Sequence, residues 1–192
     1  MARPRAFDEE TAVAAAVRTF QGKGYRAAST QDLCEATGLG RSSIYNTFSS
    51  KHELFLRALV HYTEITTARQ IGLLEEHDRP VMERLRRLFA HVVEAALDEG
   101  GCLSVISTVE LSGDDPQVAE ILRRDQRRRL DGLRFVLGVG RRDGEITSAR
   151  EPVELAHFVV AAIAGLRVAA QGGADRATLE SIAGTTLDAL SP

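Results

Sequence analysis

The sequence predicts an all-α protein, and three observations carry that prediction. Apolar residues recur at i, i+3, i+4 and i+7 in segment after segment, the spacing of a helix with one buried face. No stretch alternates apolar and polar residues as a half-buried strand would. Gly and Pro fall at the joints between the periodic segments. About nine helices are expected: an N-terminal three-helix unit of helix-turn-helix type in residues 1–50, then a larger helical domain in residues 51–192.

The first helix is expected from Asp8 to Gln21, with Val13, Ala16, Val17 and Phe20 on one stripe that can pack over the following unit. A turn follows at Gly22-Lys23-Gly24-Tyr25. Ser29 then caps a short helix through the free amide near Asp32, with Leu33 and Ala36 spaced i, i+3. Thr37-Gly38-Leu39-Gly40 stops it, because Gly38 can take the positive φ that closes a helix and Leu39 supplies an apolar anchor. The next helix, Arg41 to Thr47, turns Ile44 and the following Phe48 inward and leaves Arg41, Ser42, Ser43, Asn46 and Thr47 for solvent or a partner. Ser50 to Glu53 repeats the capping pattern and opens a long helix from Lys51 to about Leu74.

Pro80 opens a fifth helix, whose Leu85, Leu88, Phe89, Val92, Val93 and Leu97 form an apolar face closed by Gly100-Gly101. A shorter one spans Leu103 to Leu111. Asp115-Pro116 starts a long helix burying Leu122, Leu130, Leu133 and Leu137, ended by a turn over Gly138 to Gly144. Pro152 opens the eighth helix and Asp175 the last. In the eighth, Leu155 to Leu166 is apolar or small on almost every side, which implies burial all round. The preferred reading pairs this helix and the ninth with their counterparts in a second copy, through Leu155, Val159, Ala162, Ile163, Leu166, Leu179, Ile182 and Leu187. The other reading is an ordinary monomer core.

Several function classes are excluded or demoted. No apolar run approaches the length of a membrane span, and MARPRAF has no signal-peptide core, so no membrane association and a cytoplasmic site are expected. Two cysteines, Cys34 and Cys102, offer no disulfide framework. Five scattered His without an i, i+4 pair argue against a metal site. Gly138 to Gly144 follows a helix and lacks dinucleotide-loop spacing, so no cofactor is expected. With no nucleophile or acid/base constellation, an enzyme is not expected either. The Arg123, Arg124, Arg127, Arg128, Arg129 cluster is interleaved with Asp125 and Asp131 and reads as a solvated face.

What remains is a groove-reading surface. Short hydroxyl and amide side chains with one Arg at a helix start suit base edges and phosphates, and Lys51 at the next helix start is placed to touch phosphate. Residues 1–56 carry 7 Lys/Arg against 6 Asp/Glu, or +1, leaving 17 against 21, or −4, for the rest. Such a balance suits a few placed cations, not a chain that coats DNA by charge. Arg3 and Arg5 on the N-terminal arm either reach bound DNA or belong to a tail with no partner.

Phe20, Gly22 to Tyr25, Ser29-Thr30, Leu33, Ala36, Gly38-Leu39, Ile44-Tyr45, Phe48, Ser50-Lys51 and Glu53 to Phe55 together resemble the N-terminal domain of TetR-type transcriptional regulators. Gly101 to Leu103, Asp115 to Val118 and Gly165 to Val168 are similar, more loosely, to segments of that family's C-terminal half. The resemblance implies a homodimeric regulator, a repressor in the usual case, that binds a palindromic operator in double-stranded DNA and answers to a small-molecule effector. It implies base-edge roles for Gln31, Arg41 and Ser42, and phosphate or positioning roles for Thr30, Ser43, Tyr45, Thr47 and Lys51. Asn46 departs from the aromatic or His often found there. Helices four to eight of such proteins enclose a cavity, for which the candidates are Tyr62, Arg69, Phe89, Cys102, Ile106, Val109, Phe135 and Phe158, with His91, Glu110 and His157 as further polar groups. The rival from another class is a helical small-molecule-binding or adaptor protein without specific DNA binding.

Overall fold

The computed structural model describes residues 6–98 and 100–191, and among them nine helices and no strand. In chain order these are α1 (Ala6–Ala27), α2 (Thr30–Thr37), α3 (Arg41–Phe48), α4 (Lys51–Leu74), α5 (Val81–Asp98), α6 (Leu103–Glu110), α7 (Pro116–Arg142), α8 (Pro152–Gln171) and α9 (Arg176–Asp188). The all-α expectation holds. Arg3 and Arg5 lie outside the described residues.

The chain packs as two compact units, one running to Ile65 and including Cys102–Arg123, the other made of Thr66–Gly101 and the residues from Arg124 on. The division expected after residue 50 does not coincide with this packing, because Leu54, Phe55, Ala58 and Leu59 of α4 are wholly buried in the first unit's core. The α4 and α7 helices each contribute residues to both units.

In the first unit Phe20, Leu33, Ile44, Phe48, Leu54, Phe55 and Leu59 form the core, each with essentially no exposed surface. Phe55 meets Phe20 edge-on with ring centroids 5.0 Å apart and lies 4.7 Å from Tyr25. Burial of each such side chain is worth about 1.5–3 kcal/mol, so this small core has little to spare. The α1 helix runs past the expected stop at Gln21, but its helical geometry breaks at Gly24, where φ is 74° and ψ 171°. That turn is held from far along the chain: Glu110 Oε2, at the end of α6, accepts from the amides of Tyr25 at 2.8 Å and Arg26 at 3.3 Å. The φ of 74° requires glycine at position 24, and a Cβ there would stand 2.2 Å from the same carboxylate and displace it from the amides it holds.

In the second unit α5 packs against both α8 and α9, which also pack on each other. Leu85, Leu88, Phe89, Val92 and Val93 supply the α5 face, whereas Leu97 is left partly exposed. The turn expected over Gly138 to Gly144 is instead helical as far as Arg142. Its glycine serves packing: a Cβ on Gly140 would lie 2.7 Å from Ile146 Cγ1 and 2.8 Å from Val81 Cγ1. The expectation about apolar runs also needs correction, since α8 is long and apolar enough to cross a membrane, with mean hydropathy 1.7. Its apolar residues face in several directions, and those on one side pack against α5 and α9.

Candidate nucleic-acid interface

The candidate interface is formed by α2, α3 and the start of α4. Ser29 and Asp32 form a reciprocal capping box: Ser29 Oγ accepts from the Asp32 amide at 3.1 Å, and Asp32 Oδ2 accepts from the Ser29 amide at 2.8 Å. Lys23 Nζ adds an ion pair to Asp32 Oδ1 at 2.6 Å. That hydrogen bond from Lys23, with those from Ser29 behind it, lowers the Asp32 carboxyl to about 2. Gly38 closes α2 in the left-handed conformation, φ 69°, and the Thr37 hydroxyl accepts from the Leu39 amide at 3.2 Å, so the chain reverses at once.

The α3 helix follows with Ile44 and Phe48 buried and Leu39 packed against the same core. Its register leaves Arg41, Ser42, Tyr45 and Asn46 exposed and Ser43 and Thr47 half-buried. Tyr45, 38% exposed, is the centre of this face: its hydroxyl lies 3.5 Å from Thr30 Oγ1, and the Arg41 guanidinium lies 5.8 Å from its ring centroid. The Thr30 hydrogen bond first, and Arg41 second, hold the phenol below its ordinary pKa. Thr30 and Tyr45, fifteen residues apart, are thereby joined across the two helices. Gln31 is exposed beside them and donates to Glu35 Oε1 at 3.1 Å. Lys51 Nζ sits 4.5 Å from the centroid of the Tyr25 ring, a cation–π contact that orients the ammonium at the start of α4. Ser49, between α3 and α4, takes φ 63° without being glycine. The Ser50 hydroxyl then accepts from the Glu53 amide at 3.0 Å to cap α4. Of the nine residues expected at a DNA surface, Gln31, Arg41, Ser42, Tyr45 and Asn46 are exposed, and Thr30, Ser43, Thr47 and Lys51 are half-buried.

The other two sets fare differently. Of the eight expected around an effector, Tyr62, Cys102, Ile106 and Val109 belong to the first unit and Arg69, Phe89, Phe135 and Phe158 to the second. Tyr62 and Cys102 do meet, the phenol donating to the thiol sulfur at 3.5 Å, both buried. Phe89 is core, while Val109 is 83% and Phe135 63% exposed, and Arg69 and Phe158 are exposed too. Glu110, taken as a further polar lining group, instead binds the amides after Gly24, a link between residues 85 apart that leaves no local mark on the sequence. Burial first, and the charges of Arg69 and Arg167 second, push the His91 imidazole below its usual pKa.

Of the residues expected between subunits, Leu155, Val159, Ile163, Leu166 and Leu179 are buried in the second unit's own core, and Ala162, Ile182 and Leu187 are half-buried against it. The all-round apolarity of α8 therefore has two sources. One face is internal, and the opposite face exposes Phe158, Ala161, Gly165 and Val168 at helical spacing. On α9 the small residues Ala177, Ser181 and Thr185 are likewise exposed. Among the arginines expected on a solvated face, Arg129 departs: it is partly buried and paired with Asp125, which is itself 5% exposed.

A capped, three-helix unit presenting Arg, Ser, Tyr and Asn from its last short helix defines the class, a helix-turn-helix DNA-binding regulator. Comparison with known proteins narrows it. Residues 12–58 match the family described as bacterial regulatory proteins, tetR family, and residues 81–185 match the tetracyclin repressor-like C-terminal domain. The chain belongs to the TetR family of transcriptional regulators. It is 30% identical over 188 residues to the HTH-type transcriptional repressor ComR of Escherichia coli (strain K12), covering 96% of this chain and 90% of ComR. It is 27% identical over 175 residues to the HTH-type transcriptional repressor DhaR of Mycobacterium sp. (strain GP1), covering 91% and 88%. Among solved structures it is similar to a cysteine-substituted form of the TetR family regulator CifR complexed with 26-base-pair double-strand operator DNA. That match has TM-score 0.84 and 29% identity, covering 99% of this chain and 100% of the other.

Proposed function

We propose that this chain is a homodimeric repressor that occupies a palindromic operator and is released by a small-molecule effector. The observation that carries the proposal is the solvent face of α3, where Arg41, Ser42, Tyr45 and Asn46 stand together beside the N-terminus of α2 with Thr30 and Gln31. Gln31, Arg41 and Ser42 read base edges, the Arg as a two-pronged donor to guanine. Thr30, Ser43, Tyr45, Thr47 and Lys51 grip phosphate and set the depth of the helix, and Asn46 adds an amide at the rim. ComR is named a transcriptional repressor and the CifR structure holds operator DNA, which supports the same action here.

A second copy places two such helices about 34 Å apart, so that they enter successive major grooves. The exposed stripe of Phe158, Ala161, Gly165 and Val168 on α8, with the small residues of α9, suits that pairing because small side chains permit close approach. We assign DNA reading to residues 1–50, aided by Lys51 at the start of α4, and effector binding and dimerisation to the remainder of residues 51–192. An effector that displaces α4 displaces Lys51 with it. A full switch needs about 5 kcal/mol of differential affinity between the two states. The chain works in the cytoplasm, and regulation without catalysis is its whole activity.

The test is selection of binders from a random duplex DNA pool at near-physiological salt, repeated with Tyr45→Ala and Arg41→Ala. Wild type enriches a palindrome, Tyr45→Ala weakens it without changing its bases, and Arg41→Ala relaxes the bases. A folded dimer that enriches no sequence would overturn the repressor and leave the adaptor in its place.

A further inference from the structure

Among the described residues of the second unit, a polar cluster gathers around the buried carboxylate of Asp125. Asp125 is 5% exposed and accepts from the Thr67 hydroxyl and from Arg129 Nη2, each at 2.5 Å. Burying an ion pair costs several kcal/mol per ion in desolvation and is recovered only with good geometry. Its Nη2 is satisfied by Asp125, but Arg129 Nε is buried and has no hydrogen-bond partner among the described residues. Gln70, one turn along α4 from Thr67, is 3% exposed, and its Nε2 likewise has none. Both side chains line the same narrow crevice, whose walls are Ile71, Leu74, Leu88, Leu133, Val160 and Ile163. Two unpaired polar groups beside an apolar slot would each cost about 1–3 kcal/mol if nothing ever met them.

We infer that this crevice is the effector site and that it takes a small, neutral, mainly apolar molecule with a carbonyl-type acceptor, which Gln70 and Arg129 Nε bind from two sides. The inference rests on the effector-responsive reading above and gives it a chemistry. Three observations select the class. Arg129 Nε is a donor whatever its surroundings, so the ligand must bring an acceptor there. Gln70 offers its amide beside it. Asp125 already neutralises Arg129, so a carboxylate ligand would set an excess negative charge against Asp125 in a low-dielectric site, whereas a neutral carbonyl would not. Six aliphatic walls accept the remainder. The crevice's free volume, about 10 Å³, is room for about one water, so a ligand parts the helices as it enters. Gln70, Ile71 and Leu74 all lie on α4, and opening the crevice therefore acts on that helix.

The experiment titrates the full-length chain with three probes of similar size by ligand-observed NMR: cyclohexanone, methylenecyclohexane, which has the shape without the acceptor, and cyclohexanecarboxylate. Wild type is expected to bind the ketone at least tenfold more tightly than either other probe. Gln70→Met removes the amide at nearly constant volume, and Arg129→Lys keeps the charge for Asp125 but removes Nε. Each is expected to abolish the preference. Equal binding of ketone and hydrocarbon by wild type, no binding of any probe, or a preference that survives both substitutions would overturn the inference. Operator affinity measured on the same samples separates the two levels: operator binding with indifference to the ketone sinks only the ligand chemistry. Selective ketone binding without operator binding sinks only the repressor.

Discussion

The α3 helix and the α8 helix are opposites in how their faces are assigned. The eight residues of α3 are bracketed by local devices, Gly38 behind them and Ser50 ahead, and only Ile44 and Phe48 are wholly buried, so Arg41, Ser42, Tyr45 and Asn46 face outward by helical geometry alone. The twenty residues of α8 are apolar on nearly every side, and nothing in the helix says which side meets α5 and α9 and which is left free. A helix with few apolar residues declares its buried face; one saturated with them conceals it. That is why the outward side of α3 was legible in the sequence, whereas five of the eight residues expected between subunits are committed to the chain's own core.

The comparison can be broken at several points. The largest effect is expected from Phe55→Ala, which removes the ring wedged between Phe20 and Tyr25. A loss of about 3–5 kcal/mol in urea unfolding should follow, and operator binding should go with it, because the platform beneath α3 collapses. On the other side, Phe158→Asp places a charge on the exposed face of α8. The dimer dissociation constant should rise at least tenfold by sedimentation, roughly 1.4 kcal/mol, with monomer folding retained. The converse, Leu166→Ala, should destabilise the monomer itself because that side chain is wholly buried.

Smaller changes sharpen the contrast. Gly140→Ala drives a methyl against Ile146 and Val81 and should cost about 1–3 kcal/mol, whereas the same substitution at a helical glycine with open space, Gly165, should be neutral or stabilising for the monomer. Ser29→Ala removes one half of the α2 capping box and should cost about 1 kcal/mol, read as a lower thermal midpoint. The smallest effect concerns pH. His91 has its folded-state pKa lowered, so between the folded and unfolded values the unfolded chain binds more protons, and stability is lost as pH falls through that window. The midpoint difference between pH 7.5 and pH 5.5 should therefore shrink in His91→Gln, and an unchanged difference would exclude His91 as its source.

Legibility in the sequence follows the range of the interaction. The Ser29–Asp32 box, the Gly38 stop and the Pro at the start of α8 involve neighbours within a few residues, and each was readable. Glu110 closing the turn at Gly24 and Gly140 admitting Val81 and Ile146 depend on residues the chain brings together only when folded. The candidate effector residues show the same divide. Aromatic and thiol side chains such as Phe135 and Cys102 stand out by type, whereas Gln70 carries no local mark and Arg129 belongs to an arginine run that reads as a solvated face. Only the burial of Thr67, Asp125 and Gln70 marks them out.

By itself the sequence determined the helical class, nearly every helix boundary, the capped helix-turn-helix and which side of α3 is buried, because periodicity and capping act within one or two turns. Only the tertiary structure decided which face of α8 is internal, that the first half of α4 packs with the reading helices, and that a buried Asp125 paired with a partly buried Arg129 stands beside an unsatisfied glutamine. Those outcomes depend on which distant surfaces meet, and a helix with several apolar faces carries no local signal for its partner.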